Sequence, residues 1–443
     1  MVKLALRLII IFNLTSICLF SQWSVVSQLS ANELGSYPSI SVPNCSTIAV
    51  CGGEANNPKV FLSTNGGLNF NNITGNITSN ELYAIYAFDK DTIFVGDGGG
   101  FGGVGGNAKV YKTINGGLNW TVALSTGGNS GFISGITFSH LDPDFGIIVS
   151  DPAENNDSFW VAKTHDRGKT WQITKAPNAA QYTTQNSDFA IDSMFYGFGL
   201  NTIPAKFYMT TNGGLNWLVR TIGLNGTSVP SIAFKTDKLT CIAISDIAMP
   251  NIARTTNSGV NWQTISIGTG TTGVATVKWI PETGIFFIAA SNIKRSSDNG
   301  LTWHVMNTSG VTNFAHMDVH PTGVNSICAY ALASNGKVLI FEGEPFGIDP
   351  GNTTIPIEFK LEQNYPNPFN PETTIKYSVP KAGLVKISVY DLNGKLINLV
   401  TEGYHTIGNY TETVNLSDFS SGAYIYELSA DEITISGKMV LIK

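Results

Sequence analysis

Short apolar runs separated by polar turn residues make up most of the chain. One group consists of residues 231–234 (Ser-Ile-Ala-Phe), 240–245 (Thr-Cys-Ile-Ala-Ile-Ser) and 251–254 (Asn-Ile-Ala-Arg), with short polar connections between them. β-Branched and aromatic residues bounded by turn residues are typical of strands. The pattern therefore predicts an all-β chain in which groups of three strands recur.

Each of six groups leads into an octapeptide with a hydroxyl residue first, Asn or Asp third, Gly fifth and an aromatic residue eighth. Its clearest copy is Thr113-Ile-Asn-Gly-Gly-Leu-Asn-Trp120. The third side chain can bond nearby backbone and start a tight turn, and Gly supplies a left-handed conformation. The aromatic ring can cover the turn. We predict a structural role for the third and eighth residues, which are Asn65, Phe70, Asn115, Trp120, Asp166, Trp171, Asn212, Trp217, Asn257, Trp262, Asp298 and Trp303.

The spacing of this octapeptide predicts a β-propeller. Its aromatic residues are 50, 51, 46, 45 and 41 positions apart, and each interval holds several short strands. Three further strands, at 315–320, 326–330 and 337–341, have no octapeptide after them. Residues 22–27 align with the strands that follow octapeptides, with Trp23 as the aromatic residue. We therefore predict that the N-terminal strand completes the last blade of a closed, seven-bladed ring over residues 22–343.

The octapeptide resembles the BNR or Asp-box repeat of sialidase-like and sortilin-like propellers. Sialidase activity is nevertheless not expected, because that family holds a carboxylate with three arginines. After residue 21 the chain has only Arg167, Arg220, Arg254 and Arg295, and the family's Arg-Ile-Pro motif is missing. A propeller of the photosystem-assembly-factor type fits the blade pattern but not the C-terminal tail.

Residues 344–357 are rich in Pro, Gly and Thr and are predicted to be a linker. Residues 358–443 lack the period and contain short strands around an Asn393-Gly394 turn, which predicts a small immunoglobulin-like β-sandwich.

This tail resembles the type A sorting domain of the type IX secretion system. The matching motifs are Asn364-Tyr-Pro-Asn-Pro-Phe-Asn370, Val389-Tyr-Asp-Leu-Asn-Gly-Lys395, Ser421-Gly-Ala-Tyr424 and the ending Gly437-Lys-Met-Val-Leu-Ile-Lys443. The resemblance implies that the type IX machinery is a partner of residues 358–443. It also implies a protein that is secreted or held at the outer-membrane surface.

Residues 1–21 are predicted to be a signal peptide, because Lys3 and Arg7 precede an apolar run and a polar end. Charged residues are 13% of the chain and the net charge is −6, which argues against nucleic acid as a partner. No transmembrane anchor is expected, and we expect a monomer.

Among the cysteines, Cys45 and Cys51 could pair across a hairpin, whereas Cys51, Cys241 and Cys328 lie in apolar runs typical of buried thiols.

The candidate functional residues lie in the predicted loops between the second and third strands of each group. Several begin with an acid, and aromatic residues lie near them, so the weak candidates for ligand binding are Glu54, Asp97, Phe101, Phe132, Asp151, Tyr182 and Asp246. Such acids often only cap turns. We expect a non-catalytic binding module for an extracellular polysaccharide, glycoprotein or protein, with the octapeptide side structural. The alternative is a glycoside hydrolase of the endo-glucanase or xyloglucanase kind that uses a pair from Asp97, Asp151 and Asp246.

No cofactor or metal is expected. His316 and His320 have the spacing of a zinc-binding helix but lie on a predicted strand. The Gly-rich segment 96–106 lacks the Lys-Ser/Thr pair and the helix of a phosphate loop.

Overall fold

The computed structural model describes residues 22–54, 56–98, 109–125, 131–151, 158–178, 183–224, 226, 228–245, 251–268, 276–281, 283–323, 326–342, 358–379, 383–405, 408–430 and 433–443. The predicted signal peptide 1–21 and the whole predicted linker 344–357 lie outside these ranges. Within them the fold is almost entirely β, with one short helix.

The described residues between 22 and 342 form seven four-stranded antiparallel sheets, numbered here in chain order. Before the first sheet come β1 (Gln22–Gln28) and α1 (Ala31–Leu34). Sheets 1 to 3 contain β2 (Ser39–Ser41), β3 (Ile48–Glu54), β4 (Asn57–Ser63) and β5 (Asn71–Asn72); β6 (Leu82–Ala87), β7 (Ile93–Asp97), β8 (Lys109–Thr113) and β9 (Thr121–Ser125); and β10 (Ile133–Phe138), β11 (Gly146–Ser150), β12 (Ser158–Thr164) and β13 (Gln172–Asn178).

The next three sheets repeat the same order of neighbouring strands. They contain β14 (Thr183–Ala190), β15 (Tyr196–Asn201), β16 (Lys206–Thr210) and β17 (Leu218–Thr221); β18 (Ser231–Phe234), β19 (Cys241–Ile244), β20 (Asn251–Thr255) and β21 (Gln263–Ser266); and β22 (Thr276–Trp279), β23 (Phe286–Ala289), β24 (Ile293–Ser296) and β25 (His304–Val305). Sheet 7 differs because it combines β26 (Phe314–Gly323), β27 (Ser326–Ala333) and β28 (Lys337–Glu342) with β1.

The sheets are arranged as a closed ring. The first strand of each sheet contacts the first strand of the next, and β26 of sheet 7 contacts β2 of sheet 1. Seven apolar clusters fill the spaces between neighbouring sheets, including the space between sheets 7 and 1. Each sheet therefore buries both faces, which explains why its inner strands are apolar runs rather than strictly alternating ones.

The N-terminal strand closes this ring. β1 pairs antiparallel with β28, and Trp23 lies opposite Phe341. The Trp23 side chain is fully buried, with ring centroids 5.9 Å from Phe287 and 5.5 Å from Phe341. Its backbone N–H donates to the carbonyl of Asn307 at 2.8 Å. The strand is therefore held by sheets 6 and 7 together.

The octapeptide forms the same turn in all six places. In the copy at 113–120, Thr113 Oγ1 donates to Asn115 Oδ1 at 2.9 Å and accepts from the Gly117 N–H at 2.9 Å. Asn115 Oδ1 also accepts from the Asn119 N–H at 3.0 Å. Left-handed backbone occurs at the fourth position as well as the fifth, although three copies have Arg167, Ser258 or Asn299 there. The sequence suggested this strain only for the fifth position.

Each octapeptide is tied to the turn between the first and second strands of its own sheet. The N–H of its fourth residue donates to a carbonyl of that turn, as from Gly116 to Asp91 at 3.1 Å and from Arg167 to Asp144 at 3.0 Å. The pairs in the other sheets are Gly66 with Ser46, Gly213 with Met194, Ser258 with Leu239 and Asn299 with Gly284. We call this side of the ring the octapeptide side, and the opposite side the loop side.

A disulfide joins Cys45 to Cys328, with a Cα–Cα distance of 5.2 Å. It connects the turn after β2 to β27 and therefore links sheets 1 and 7 covalently. The pairing of Cys45 with Cys51, which the sequence left open, does not occur, because Cys51 is a buried thiol on β3. The interpretation of Cys328 as a buried thiol is also wrong, whereas Cys241 does remain a buried thiol.

The tail forms two further sheets around its own apolar core. One sheet has the order β29-β30-β33 and the other β32-β31-β34-β35. Their strands are β29 (Lys360–Leu361), β30 (Glu372–Val379), β31 (Gly383–Tyr390), β32 (Leu396–His405), β33 (Gly408–Asn415), β34 (Gly422–Ala430) and β35 (Ile433–Leu441).

Replacing Trp23 tests the closure of the ring. We expect Trp23→Ala to lower the free energy of unfolding by about 3–5 kcal/mol, because it leaves a large cavity between sheets 6 and 7. Val25→Ala is the matched control, since Val25 lies on the same strand with 41% exposure and should cost less than about 1 kcal/mol. Urea unfolding of both variants makes the comparison, and equal effects would contradict the packing of Trp23.

Candidate functional site

Aromatic and acidic side chains gather on the loop side of sheets 1 to 3. They lie near the starts of the first strands or at the ends of the second strands, which meet on this side because neighbouring strands are antiparallel. We call them the rim cluster, which consists of Tyr37, Glu54, Glu81, Tyr83, Asp97, Phe132 and Asp151.

Three aromatic rings form a continuous arc in this cluster. Tyr37 precedes β2, Tyr83 lies near the start of β6 and Phe132 precedes β10. The ring centroids are 5.9 Å apart between Tyr37 and Tyr83, and 4.7 Å apart between Tyr83 and Phe132. Tyr37 is 45% exposed. Tyr83 and Phe132 are half-buried, so the arc spans three sheets with Tyr37 as its exposed end.

The acids around the arc have different surroundings. Asp97 is buried, and its Oδ1 accepts from Ser79 Oγ at 2.7 Å. Glu54 is exposed and accepts a hydrogen bond from Ser36 Oγ. Asp151 is half-buried, and its backbone N–H donates to the Phe132 carbonyl at 3.0 Å. The buried Asp97 is thus a positioned structural acid, while Glu54 and Asp151 remain accessible.

Among the acids of the rim cluster, Glu81 has a pKa that lies well above its usual value. Partial burial, together with the negative charges of Glu54 and Asp97, raises the pKa of its carboxyl from 4.5 to about 7. The pKa of the Tyr83 hydroxyl is also raised, first by burial and then by Tyr37, Asp151 and Glu81. The carboxylates therefore act on one another, and Glu81 takes up its proton closer to neutral pH than an ordinary glutamate does.

The structure brings together four of the residues singled out from the sequence, namely Glu54, Asp97, Phe132 and Asp151. Phe101, Tyr182 and Asp246 lie outside the described residues. The sequence analysis missed Tyr37, Glu81 and Tyr83. Their position in the repeat could have indicated two of them, because Tyr37 and Tyr83 lie near the starts of first strands, as Phe132 does.

A cavity of 510 Å³ occupies the channel at the centre of the ring. It is lined by the first strands of all seven sheets and by turns that follow some of them, including His140, Thr236 and Pro281. These turns lie on the octapeptide side. The channel therefore reaches the octapeptide side as well.

Ionisable side chains in the channel connect sheet 7 to its neighbours. His316 Nδ1 accepts from the Ile40 N–H at 3.1 Å, and Asp318 Oδ2 accepts from the Val42 N–H at 2.8 Å. Lys278 Nζ lies 3.3 Å from Asp318 Oδ1. Burial lowers the pKa of His316 to about 3, and the charge of Lys278 contributes. Because His316 stays neutral, it can accept the backbone hydrogen bond throughout the physiological pH range.

Within the described ranges, no three His, Cys, Asp or Glu side chains are grouped so that they could hold a metal ion. Those ranges also contain no helix that is long and apolar enough to cross a membrane.

The first motif of the tail is built into its core. Asn364 is buried, and its Nδ2 donates to Thr373 Oγ1 at 2.8 Å and to the Pro366 carbonyl at 3.1 Å. The Asn364 N–H donates to the Tyr426 hydroxyl at 3.1 Å. Phe369 is also buried. The motif residues thus hold the start of the tail against β30 and β34.

Glu81→Gln tests the electrostatics of the rim cluster. Between pH 4.5 and about 7 the folded state binds more protons at Glu81 than the unfolded chain does, so stability should fall as the pH rises through this window. In the Gln variant, the free energy of unfolding should fall less over this pH window, as measured by urea unfolding at several pH values. Asp418→Asn, an exposed change in the tail, is the control. An unchanged pH profile for Glu81→Gln would show that Glu81 has an ordinary pKa.

Comparison with known families gives one match. Residues 363–443 match the secretion system C-terminal sorting domain. No curated protein sequence matches the chain.

Solved structures show the fold of the larger part. YCF48 bound to a D1 peptide is 16% identical with a TM-score of 0.53, and the alignment covers 73% of this chain and 98% of that one. YCF48 from Cyanidioschyzon merolae is 14% identical with a TM-score of 0.50, covering 74% and 100%. The WD40 propeller domain of Doa1 is 11% identical with a TM-score of 0.51, covering 73% and 97%.

These similarities are low in sequence and agree on the architecture, so they show the fold alone. The chain combines a β-propeller of four-stranded sheets with a C-terminal sorting domain of the type IX secretion system, which directs it to the cell surface or the extracellular space.

Proposed function

We propose that the protein is an exported binding module that recognises a glycan or a glycosylated protein through its rim cluster. In this proposal residues 1–21 are a signal peptide, residues 22–343 are a seven-bladed propeller and residues 358–443 are an immunoglobulin-like sorting domain. Residues 344–357 are the linker. The aromatic arc of Tyr37, Tyr83 and Phe132 is the observation that carries the proposal.

The chemistry of the rim cluster suits a sugar. Aromatic rings offer flat apolar faces, while tyrosine hydroxyls and carboxylates supply the few directional polar contacts of a ligand site. Glu54 and Asp151 beside the arc can accept hydrogen bonds from sugar hydroxyls. The low charge of the whole chain favours a partner that is recognised by neutral polar contacts rather than by charge.

A protein ligand fits the same surface in part. The similar propeller YCF48 has been solved with a bound peptide. At 16% identity no residue of its site can be transferred to this chain. A glycosylated protein would engage the arc through its sugar, so the glycan is the component that we propose the rim cluster binds.

Glycoside hydrolysis is the second candidate, and the raised pKa of Glu81 favours it. A protonated carboxyl beside ionised ones is the arrangement in which one group donates a proton and another assists attack at the sugar. In this alternative Glu81 would be the acid, a role that the sequence analysis gave only to Asp97, Asp151 and Asp246. Burial of Asp97 and its bond to Ser79 Oγ make it a poor partner.

Binding to a panel of neutral and acidic polysaccharides tests the proposal. We expect retention of at least one polysaccharide by the full chain. Tyr37→Ala and Tyr83→Ala should each weaken this binding roughly tenfold, because each removes a stacking face worth about 1–2 kcal/mol. Leu118→Ala is the control, since Leu118 is 81% exposed on the octapeptide side.

The same samples separate binding from catalysis. New reducing ends that disappear with Glu81→Gln would establish the hydrolase alternative. Retention without new reducing ends would support the binding module. If the tyrosine variants bind as tightly as the parent chain, the rim cluster is not the site.

A further inference from the structure

The rim cluster concentrates negative charge in a chain that carries little charge overall. Four of its seven residues are acids, and they come from sheets 1, 2 and 3. Burial, and then the charges of Glu54 and Asp97, raises the pKa of Glu81. Asp151 and Glu81 act in the same direction as burial on the pKa of the Tyr83 hydroxyl. The charges that act on the aromatic arc are therefore negative.

The exposed end of the arc carries ring and carboxyl groups that a ligand can reach. Tyr37 is 45% exposed, Glu54 is exposed and Glu81 is half-buried. Ser36, the residue before Tyr37, donates a hydrogen bond from its Oγ to Glu54. Glu54 therefore lies beside this end of the arc, and it is near enough to Glu81 to raise the pKa of that residue.

Two glycines leave room for these carboxyl side chains. A Cβ atom added to Gly35 would lie 2.8 Å from Cγ of Glu54, and one added to Gly98 would lie 3.2 Å from Cγ of Glu81. The Gly98 N–H also donates to the Glu81 carbonyl at 3.1 Å. Close contact with the backbone thus sets the positions of both side chains.

The arrangement favours an organic cation over a metal ion. Among the described residues, no three metal-ligating side chains are grouped so that they could hold a metal ion. A protonated amine needs no such shell, because it can donate hydrogen bonds to one or two carboxylates and place its charge against an aromatic face.

We propose that the glycan bound by the rim cluster carries protonated amino groups, one of which lies against the ring of Tyr37 and pairs with Glu54 and Glu81. This inference rests on the binding function proposed above and narrows its ligand to a glycan that contains amino sugars. Hydrogen bonds between a charged amine and a carboxylate are stronger than those of neutral groups. A polymer that is neutral apart from its amino groups also suits a chain of low overall charge.

Three trisaccharides that differ at one substituent test the inference. The glucosamine trimer has an amino group where the N-acetylglucosamine trimer has an acetamide and cellotriose has a hydroxyl. We expect calorimetric titration of the full chain at pH 6 to show that the glucosamine trimer binds at least about tenfold more tightly than the other two. Added salt should weaken the binding of the glucosamine trimer more than that of cellotriose.

Two variants assign this preference to the carboxyl groups. Glu54→Gln and Glu81→Gln should each weaken binding of the glucosamine trimer roughly five- to tenfold, because each replaces a charge-assisted hydrogen bond by a neutral one. Both variants should leave the binding of cellotriose nearly unchanged. The control Asp91→Asn removes an equal charge from an exposed turn on the octapeptide side and should alter neither. The urea midpoint of each variant checks that the fold is retained.

Proton release is a readout that a purely structural role of Glu81 would not change. A bound ammonium stabilises the ionised carboxylate and so lowers the pKa of Glu81 from about 7. Binding at pH 6 should therefore release protons from Glu81, around which Glu54, Asp97 and, beside Tyr83, Asp151 are the other acids. Calorimetry in two buffers of different ionisation enthalpy measures this release, and we expect Glu81→Gln to show less of it than the parent chain.

The outcomes separate this inference from the proposed function. Equal binding of the three trisaccharides, or tighter binding of a neutral one, would overturn the preference for amino groups but leave glycan binding in place. Binding of trilysine without any trisaccharide would also overturn it and would indicate a cationic protein ligand. If the glucosamine trimer does not bind, the inference fails. The function proposed for the rim cluster fails with it only when no polysaccharide of the panel is retained.

A glucosamine trimer that binds equally to the parent chain and to folded Glu54→Gln and Glu81→Gln variants would place the amine elsewhere and would overturn the inference as well.

Discussion

The antiparallel pairing of β1 with β28 is the contact on which the rest of the larger domain depends. It joins the first described strand to the last strand of the ring, and it gives sheet 7 the fourth strand that the other sheets take from their own segment of chain. An unpaired β28 would expose a row of backbone N–H and C=O groups. It would also expose the apolar residues against which Trp23 packs.

Two other interactions converge on the same junction. The Cys45–Cys328 disulfide joins sheets 1 and 7 on the octapeptide side, while His316 and Asp318 of sheet 7 accept hydrogen bonds from the backbone N–H groups of Ile40 and Val42 in and beside β2 of the neighbouring sheet 1. A disulfide that closes a loop of 283 residues restricts the unfolded chain strongly. Closure is thus secured by a strand, a covalent bond and polar contacts. Both the channel and the rim exist only because the sheets are held in this ring.

The repeated architecture was predictable because its cause is local. The octapeptide specifies its own turn through a hydroxyl, an amide or carboxylate and a glycine, so its six copies and the strands around them could be read from the sequence. Trp23 could be recognised because it matches the eighth position of that repeat. The motifs of the tail could also be recognised from the sequence, since Asn364 and Phe369 belong to one short contiguous segment.

The remaining features depend on contacts between distant sheets. Nothing near Cys328 in the sequence indicates Cys45, because the ring brings them together across 283 residues. The raised pKa of Glu81 depends on its burial in the ring and on the charges of Glu54 and Asp97, which come from other strands. Candidate sites in this fold therefore emerge from the ring rather than from any single repeat.

Amide hydrogen exchange of the intact chain, followed by mass spectrometry, tests the closure of the ring most directly. The account predicts that the amides of residues 23–28 are protected to the same degree as those of residues 337–341, because both are released only when the ring opens cooperatively. Protection of residues 337–341 combined with fast exchange throughout residues 23–28 would contradict it, since it would show a ring that persists without its N-terminal strand.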